Sequence, residues 1–208
     1  MQNLKAIIFD LGGVILNIDY NKTSKAFKDA GVSNIDEMYS QKTTDALFQD
    51  LEQGKISEED FFNSIRKVSN TSLSNEQITE CWNSMLLDFR ADTLACIKKL
   101  RPRFKVFLLS NTNSIHLRQF YKIHSRLPDD QEFEDYFDAV YYSHLIGFRK
   151  PDAAAYQFVL EKNQLNADEC LFIDDSYQNI EGAQRAGLQT IFLTSEMRVE
   201  ELDLSNYK

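Results

Sequence analysis

Short apolar runs alternate with amphipathic segments along much of the chain. The runs lie at positions 4–9, 106–110, 139–144, 170–174 and 188–193. Runs of this length, rich in β-branched and aromatic residues, predict buried strands. The segments between the later runs carry apolar residues at three- and four-residue spacing, which indicates helices. Strands that alternate with helices predict a three-layer α/β fold, in which helices cover both faces of a parallel sheet.

The chain changes character between residues 18 and 87, where helical spacing replaces the strand pattern. Four segments show this spacing: 21–30, 44–54, 57–68 and 74–86. Ser57 with Asp60, and Ser74 with Gln77, predict helix starts, and the second pair fits a capping box. We therefore expect about four helices in this block.

The helical block follows the first predicted strand and interrupts the α/β pattern, so we interpret it as an insertion. Residues 14–18 predict a short ribbon at the entry to the block. On this interpretation residues 1–17 and 88–208 form an α/β core domain, and residues 18–87 form an inserted helical cap domain.

The net charge disfavours some classes of partner. The chain has 32 acidic and 23 basic residues and a formal charge of −9, so nucleic acid and anionic membrane surfaces would repel it. No apolar run is long enough to span a bilayer. Cys81, Cys96 and Cys170 are far apart and form no metal-binding pair, which favours a reduced, cytoplasmic protein.

Candidate chemistry lies at the carboxyl ends of the predicted strands, where open parallel sheets bind their ligands. The polar side chains there are Asp10, Ser110, Asn111, Asp174 and Asp175, and Lys150 lies in a loop just before a helix. Asp10 by itself is equally compatible with a helix cap or a turn. Asp174 and Asp175 are more specific, because two adjacent like charges cost free energy unless a cation or a proton compensates them. A hard-cation site with oxygen ligands, of the kind that Mg²⁺ prefers, explains the pair.

Four segments occur in an order that resembles a known superfamily. They are IIFDLGGVIL, LLSNTN, RKPDAAAY and FIDDSYQNIEGA. They resemble the four motifs of the haloacid dehalogenase (HAD) superfamily, subfamily I, and are most similar to those of sugar-phosphate phosphatases such as bacterial α-D-glucose-1-phosphate phosphatase. The resemblance implies a Rossmann-like core with an inserted helical cap, Mg²⁺-dependent phosphatase activity and a small phosphorylated metabolite as partner. It leaves open which phosphoester is the substrate, and whether the chain is a monomer or a homodimer.

The resemblance also implies a nucleophile and a set of metal ligands. Asp10 would attack the phosphorus and form an aspartyl-phosphate. The carboxylates of Asp10 and Asp175 and the backbone carbonyl of Gly12 would bind Mg²⁺, and Asp174 would bind it directly or through water. Asn179 stands where many relatives have another acid, so it would lie beside the metal ligands without binding the ion.

The remaining motif residues would hold the phosphoryl group. Ser110 and the backbone N–H of Asn111 would bind its oxygens, while Lys150 would neutralise charge and orient Asp10. The helix that follows Asn111 would add N–H donors from its first turn. We expect His116, which falls in this helix, to be structural or solvent-facing.

One position departs from the pattern of most phosphatases in this superfamily, which have an acid two residues after the nucleophile. Gly12 occupies that position, and the general acid–base catalysis that it forgoes is typically worth about 10²–10⁴-fold in rate. Three hypotheses follow. The enzyme acts on acidic leaving groups such as sugar 1-phosphates, or the domain is a weak phosphate-binding or regulatory module, or it is a metal-independent 2-haloacid dehalogenase. The retained Asp174–Asp175 pair favours metal and phosphate.

Two further residues lie close to the motifs in the chain. Asp19 could replace the missing acid, although a role in a loop or hinge explains it more simply. Arg149 precedes Lys150 and is equally compatible with the active site and with a surface ion pair.

Overall fold

The computed structural model describes residues 4–38, 46–128 and 131–204. Its strands are β1 (Ala6–Phe9), β2 (Leu16–Ile18), β3 (Leu86–Phe89), β4 (Lys105–Ser110), β5 (Ala139–Tyr142), β6 (Cys170–Asp174) and β7 (Gln189–Phe192). Its helices are α1 (Tyr20–Asp29), α2 (Ile35–Met38), α3 (Ala46–Glu52), α4 (Glu58–Ser69), α5 (Asn75–Asn83), α6 (Ala91–Leu100), α7 (Ser114–His124), α8 (Ser143–Ile146), α9 (Ala153–Asn163) and α10 (Tyr177–Arg185).

Five strands form one parallel sheet in the order β5-β4-β1-β6-β7. The central strand is β1, whose Ile8 lies opposite Phe107 of β4 and Phe172 of β6. From β1 the chain moves outward to β4 and β5 and then returns to the other side of β1 for β6 and β7. Such a reversal leaves a crevice at the carboxyl ends of the central strands. The sheet confirms the predicted α/β fold.

Alternate residues of β1 pack on opposite faces of the sheet, as the period of a strand requires. Ile7 and Phe9 belong to the hydrophobic cluster that includes residues of α6 and α7. Ala6 and Ile8 belong to the cluster that includes residues of α9 and α10. All four side chains are fully buried, so the strand that carries Asp10 at its end is held from both sides.

A two-stranded ribbon connects the sheet to helices α1–α5, which we call the helical insertion. β2 pairs antiparallel with β3, so that Leu16 lies opposite Phe89 and Ile18 opposite Leu86. All five helices lie between these two strands in the chain. The ribbon was predicted at residues 14–18. Its partner β3 was not, because residues 86–89 continue an apolar pattern that begins in a helix.

The helical insertion has its own hydrophobic cluster with an aromatic centre. Phe27, Phe48, Phe61 and Trp82 are all buried there, and Ile115 of α7 joins the cluster. The rings of Phe48 and Trp82 stack with their centroids 4.9 Å apart. These contacts give the insertion a core that is separate from the two clusters on the sheet.

The described part of the insertion contains five helices, one more than the four predicted segments. The additional helix is α2, a single turn that is too short to produce a periodic pattern. Both predicted helix starts form complete capping boxes, at Ser57 and at Ser74, although only the second was predicted to do so. Residues 44–45 of the predicted segment 44–54 lie outside the described residues. The two domain boundaries stay a prediction.

The strand predicted at residues 139–144 is shorter than expected. β5 ends at Tyr142, which pairs with Ser110, the last residue of β4. Beyond that point no neighbouring strand offers hydrogen bonds, and the chain turns into α8 instead. Ser143 ties this turn to the β4 end, because its Oγ accepts from the Thr112 N–H and donates to the Thr112 carbonyl, both at 2.9 Å.

Candidate active site

A buried lysine joins two of the predicted carboxylates at the carboxyl edge of the sheet. Asp10 directly follows β1, and Asp174 is the last residue of β6. Nζ of Lys150 donates to Asp10 Oδ1 at 2.6 Å and to Asp174 Oδ2 at 2.7 Å. Only 1% of the Lys150 side chain is exposed, so the ion pairs are formed with little screening by water.

The loop that carries Lys150 is fixed by the side chain of Asn111. The Lys150 N–H donates to Asn111 Oδ1, and Asn111 Nδ2 donates to the Lys150 carbonyl, both at 2.9 Å. The sequence predicted a role only for the Asn111 backbone. The structure adds a second one, because this reciprocal pair locks the lysine loop onto the end of β4.

Three carboxylates form one compact acidic cluster. Oxygen atoms of Asp10, Asp174 and Asp175 lie within 4.8 Å of one another. Asp174 is fully buried, and it accepts hydrogen bonds from the Ser176 N–H at 2.7 Å and from Asn179 Nδ2 at 3.0 and 3.1 Å, besides that from Lys150. Asp10 and Asp175 instead line the cavity above the sheet. Asn179 therefore lies beside the cluster, where it orients Asp174.

The turn after β1 is shaped to receive Asp175. Gly13 has φ +76°, and a Cβ atom there would lie 1.9 Å from Asp175 Oδ2. Glycine is needed at Gly13 both for its backbone conformation and for this close approach. Gly12 differs, because its φ is not in the positive range and a Cβ would meet only the flexible Ile18 side chain, at 3.1 Å.

The electrostatics of the cluster favour a cation. Burial raises the pKa of Asp10 to about 7, because Asp174 and Asp175 add to the effect and Lys150 only partly opposes it. Burial and the charge of Asp174 raise the pKa of Asp175 to about 6. Although burial disfavours the charged form of Lys150, Asp10 and Asp174 raise the pKa of its ammonium group. A divalent ion bound among the carboxylate oxygens would stabilise their ionised forms, and an all-oxygen donor set suits Mg²⁺.

Two hydrogen-bond donors beside Asp10 have no partner within the described residues. Ser110 is buried at the end of β4, and its Oγ makes no hydrogen bond to that part of the chain, nor does the N–H of Asn111. Both residues line the same cavity as Asp10. They are the two groups that the sequence predicted to bind phosphoryl oxygens, and that role stays a prediction. The expected contribution of the first turn of α7 is smaller, because Asn113 Oδ1 already accepts from the N–H groups of Ile115 and His116.

The cavity has a volume of about 450 Å³, and part of its wall comes from the helical insertion. The insertion contributes Tyr20, Gln49, Glu52 and Trp82, together with Met85 next to the ribbon. The sequence carries no motif signal for Gln49 or Glu52. Their positions depend on how the insertion packs on the sheet, which no local pattern encodes.

Three further side chains near the motifs, those of Arg149, Asp19 and His116, differ in their relation to the cavity. Arg149 lines the cavity and pairs with Glu52, so it is not a surface ion pair. Asp19 caps α1 by accepting from the Asn21 N–H, and it does not line the cavity. His116 is buried, stacks on Trp82 and shares a hydrogen bond of 2.9 Å with Asn83. Burial lowers its pKa to about 3, so the imidazole is neutral at ordinary pH.

Fold and site together define an α/β protein with an acidic cluster and a buried lysine at the carboxyl edge of its parallel sheet. Residues 4–187 match the haloacid dehalogenase-like hydrolase family. The chain therefore belongs to the haloacid dehalogenase-like hydrolases.

The chain is similar to a curated relative and to two solved structures of the same family. D-Ribitol-5-phosphate phosphatase of Bacteroides thetaiotaomicron is 29% identical over 187 residues, which cover 90% of each chain. A HAD family enzyme of the same organism, solved as a mutant in complex with magnesium and inorganic phosphate, has a TM-score of 0.89 and 33% identity, over 95% of this chain and 97% of that chain. A predicted HAD-like hydrolase of Porphyromonas gingivalis has a TM-score of 0.84 and 31% identity, over 93% of both chains.

The comparisons confirm the predicted superfamily and the prediction of a phosphatase-type enzyme. Magnesium in the solved relative agrees with the predicted cofactor of the family. Neither the finer likeness to α-D-glucose-1-phosphate phosphatase nor the individual residue roles follow from these matches. In the described ranges, no helix combines the length and apolar character needed to cross a membrane.

Proposed function

We propose that the protein is a Mg²⁺-dependent phosphatase that hydrolyses a small phosphomonoester through an aspartyl-phosphate. The observation that carries the proposal is the clustering of Asp10, Asp174 and Asp175 oxygens within 4.8 Å, next to Lys150 Nζ. A dianionic phosphate can approach a carboxylate nucleophile only where positive charge offsets the repulsion. Lys150 supplies part of that positive charge. A cation bound by the acidic cluster would supply the rest.

Asp10 is the nucleophile in this proposal. Lys150 holds Oδ1, whereas Oδ2 accepts no hydrogen bond from the described residues. Oδ2 would attack phosphorus while the bond to the leaving oxygen breaks, and water would then hydrolyse the acyl phosphate and regenerate Asp10. Ser110 Oγ and the Asn111 N–H would donate to the phosphoryl oxygens during both steps.

The residues present fit Mg²⁺. Carboxylates of Asp10 and Asp175 and the carbonyl of Gly12 would hold the ion, and all three residues line the cavity. Asp174 has most of its acceptor capacity engaged by Lys150, Ser176 and Asn179, so a contact through water suits it better than direct coordination. When bound, Mg²⁺ supplies Lewis-acid charge that neutralises the phosphoryl oxygens.

The leaving group decides the finer substrate class. With Gly12 in place of an acid, departure of a more acidic alcohol is easier, which supports a sugar 1-phosphate. The relative named as a D-ribitol-5-phosphate phosphatase supports the wider class of sugar and sugar-alcohol phosphates. We place the protein in that wider class, with sugar 1-phosphates as its preferred members.

The helical insertion would act as the cap. Its residues form part of the cavity wall, and several of its side chains bond to the part of the chain outside the insertion, which we call the sheet domain. Closure over the phosphate would exclude water while Asp10 is phosphorylated. The acidic charge and the isolated cysteines fit a cytoplasmic enzyme that acts on metabolites.

A screen of wild-type protein tests the proposal. Phosphate or halide release should be measured from sugar phosphates, nucleotides and 2-haloacids, with Mg²⁺ and with excess chelator. We expect Mg²⁺-dependent release of phosphate from sugar phosphates. Chelator-resistant halide release would identify a dehalogenase, and phosphate binding without turnover of any ester would identify a regulatory module.

A further inference from the structure

One ion pair between the helical insertion and the sheet domain lies in the cavity wall. Glu52 is the last residue of α3, and Arg149 immediately precedes Lys150. Both residues line the same cavity as Asp10, and their side chains are 16% and 17% exposed. Neither residue belongs to the machinery that holds the phosphoryl group, so the pair faces the part of the cavity left for the rest of the substrate.

The hydrogen bonds of this pair engage only part of each group. Arg149 Nε and Nη2 both donate to Glu52 Oε2, at 3.0 and 2.9 Å. Within residues 4–38, 46–128 and 131–204, Glu52 Oε1 accepts no hydrogen bond and Arg149 Nη1 donates none. The pair therefore presents one charged acceptor and one charged donor that are held in place by their own contact.

A hydroxyl group suits this arrangement because it both donates and accepts. With the phosphoryl group at Asp10, Ser110 and Asn111, the groups that reach Glu52 and Arg149 belong to the leaving alcohol. We propose, building on the phosphatase function above, that Glu52 and Arg149 bind hydroxyl groups of the leaving group and select polyhydroxylated esters over apolar ones. An apolar leaving group would displace water from both charges without replacing its hydrogen bonds.

A second ion pair provides a matched control. Glu58 of α4 and Arg118 of α7 also join the helical insertion to the sheet domain, through Nη1–Oε1 and Nη2–Oε2 contacts of 2.6 and 2.7 Å. Here both carboxylate oxygens are engaged, and neither residue lines the cavity. Loss of this pair removes a similar contact across the same boundary without touching a substrate.

The test compares two esters with the same carbon chain. We would measure kcat/KM with saturating Mg²⁺ for D-ribitol 5-phosphate and for n-pentyl phosphate, which lacks the hydroxyl groups, in wild type, Glu52→Gln and Glu58→Gln. Hydrogen bonds to charged groups correspond to about 10- to 100-fold in affinity. We therefore expect Glu52→Gln to reduce the preference for the ribitol ester by about 10- to 100-fold, and Glu58→Gln to leave that preference unchanged.

Arg149→Gln should lower the same preference, which provides a second variant if Glu52→Gln folds poorly. The inference would be overturned if Glu52→Gln and Arg149→Gln both left the ratio of the two kcat/KM values unchanged, or if Glu58→Gln changed it equally. Either result would show that the Glu52–Arg149 pair only holds the insertion against the sheet domain. The inference is also wrong if the wild type prefers n-pentyl phosphate, or if it turns over only p-nitrophenyl phosphate. If no ester is hydrolysed at all, p-nitrophenyl phosphate included, the phosphatase function itself fails.

Discussion

Asp10 is the residue on which the proposed chemistry depends most directly. Asp10→Asn replaces the carboxylate by a nearly isosteric amide that cannot attack phosphorus, so hydrolysis of p-nitrophenyl phosphate should fall to background. The amide also removes one negative charge from a crowded cluster, so we expect the fold to persist. Circular dichroism and phosphate release would be measured together. Comparable rates for a folded mutant and the wild type would contradict the covalent mechanism.

We predict that Lys150 contributes both to turnover and to stability at this site. Lys150→Met would remove the cation between buried Asp10 and Asp174, and breaking a buried ion pair from one side typically costs about 3–5 kcal/mol. We expect loss of turnover and a lower free energy of unfolding in urea at neutral pH with chelator present. The destabilisation should shrink in acid, because protonated carboxyl groups no longer need a counter-charge.

Lys105→Met is the control for that experiment. Lys105 also pairs with an aspartate, Asp138, at 2.9 Å, but its side chain is 67% exposed. Exposed pairs contribute little to stability, so this variant should unfold almost like the wild type. If both lysine variants lose the same stability, burial is not the reason for the effect at Lys150.

The turn between β1 and β2 is the element that should decide how strongly the rate depends on the acidity of the leaving alcohol. Because Gly12 supplies no acid, rates should rise steeply as the leaving alcohol becomes more acidic. Gly12→Asp should flatten this dependence and accelerate poor leaving groups by about 10-fold or more. The structure makes the variant feasible, since φ of Gly12 is not positive and a Cβ atom there would meet only the flexible side chain of Ile18, at 3.1 Å or more.

The neighbouring glycine is the matched control in the same turn. Gly13→Ala would place a Cβ atom 1.9 Å from Asp175 Oδ2 at a positive φ, so it should lower activity on every ester and weaken the response to Mg²⁺. Rates over phosphomonoesters of graded leaving-group pKa would be measured for both variants. A flat dependence in the wild type, with the chemical step rate-limiting, would show that another residue supplies the proton.

Across the whole molecule, Mg²⁺ should stabilise the folded state. Three carboxylates within 4.8 Å repel one another, and a ligand that binds only the folded state stabilises it by about 2.7 kcal/mol at 100 times its Kd. We expect the thermal unfolding temperature to rise with Mg²⁺, and Asp175→Asn to require much higher concentrations for the same rise. Calorimetry without substrate would measure this. If the unfolding temperature of the wild type does not change with Mg²⁺ concentration, the proposed metal site is wrong.

The sequence by itself determined the sheet and the polar edge at which the candidate site lies. Each strand of the parallel sheet corresponds to a short apolar run in the sequence. Ser110 and Asp174 are the last residues of their runs, and Asp10 directly follows its run. Because parallel strands end at one edge, their order in the chain was enough to predict that these side chains meet. The same reasoning predicted that Lys150 lies at this edge, because it stands in a loop that precedes a helix between two of the predicted strands.

Only the tertiary structure decided what depends on contacts between distant segments. The Glu52–Arg149 pair joins positions 97 residues apart, and the Asn111 side chain reaches Lys150 across 39 residues. Strand β3 exists because β2 is there to pair with it, and the backbone angle of Gly12 follows from how this turn folds back. No periodicity records such partners, because a residue's local pattern reflects its burial and not the side chain it meets.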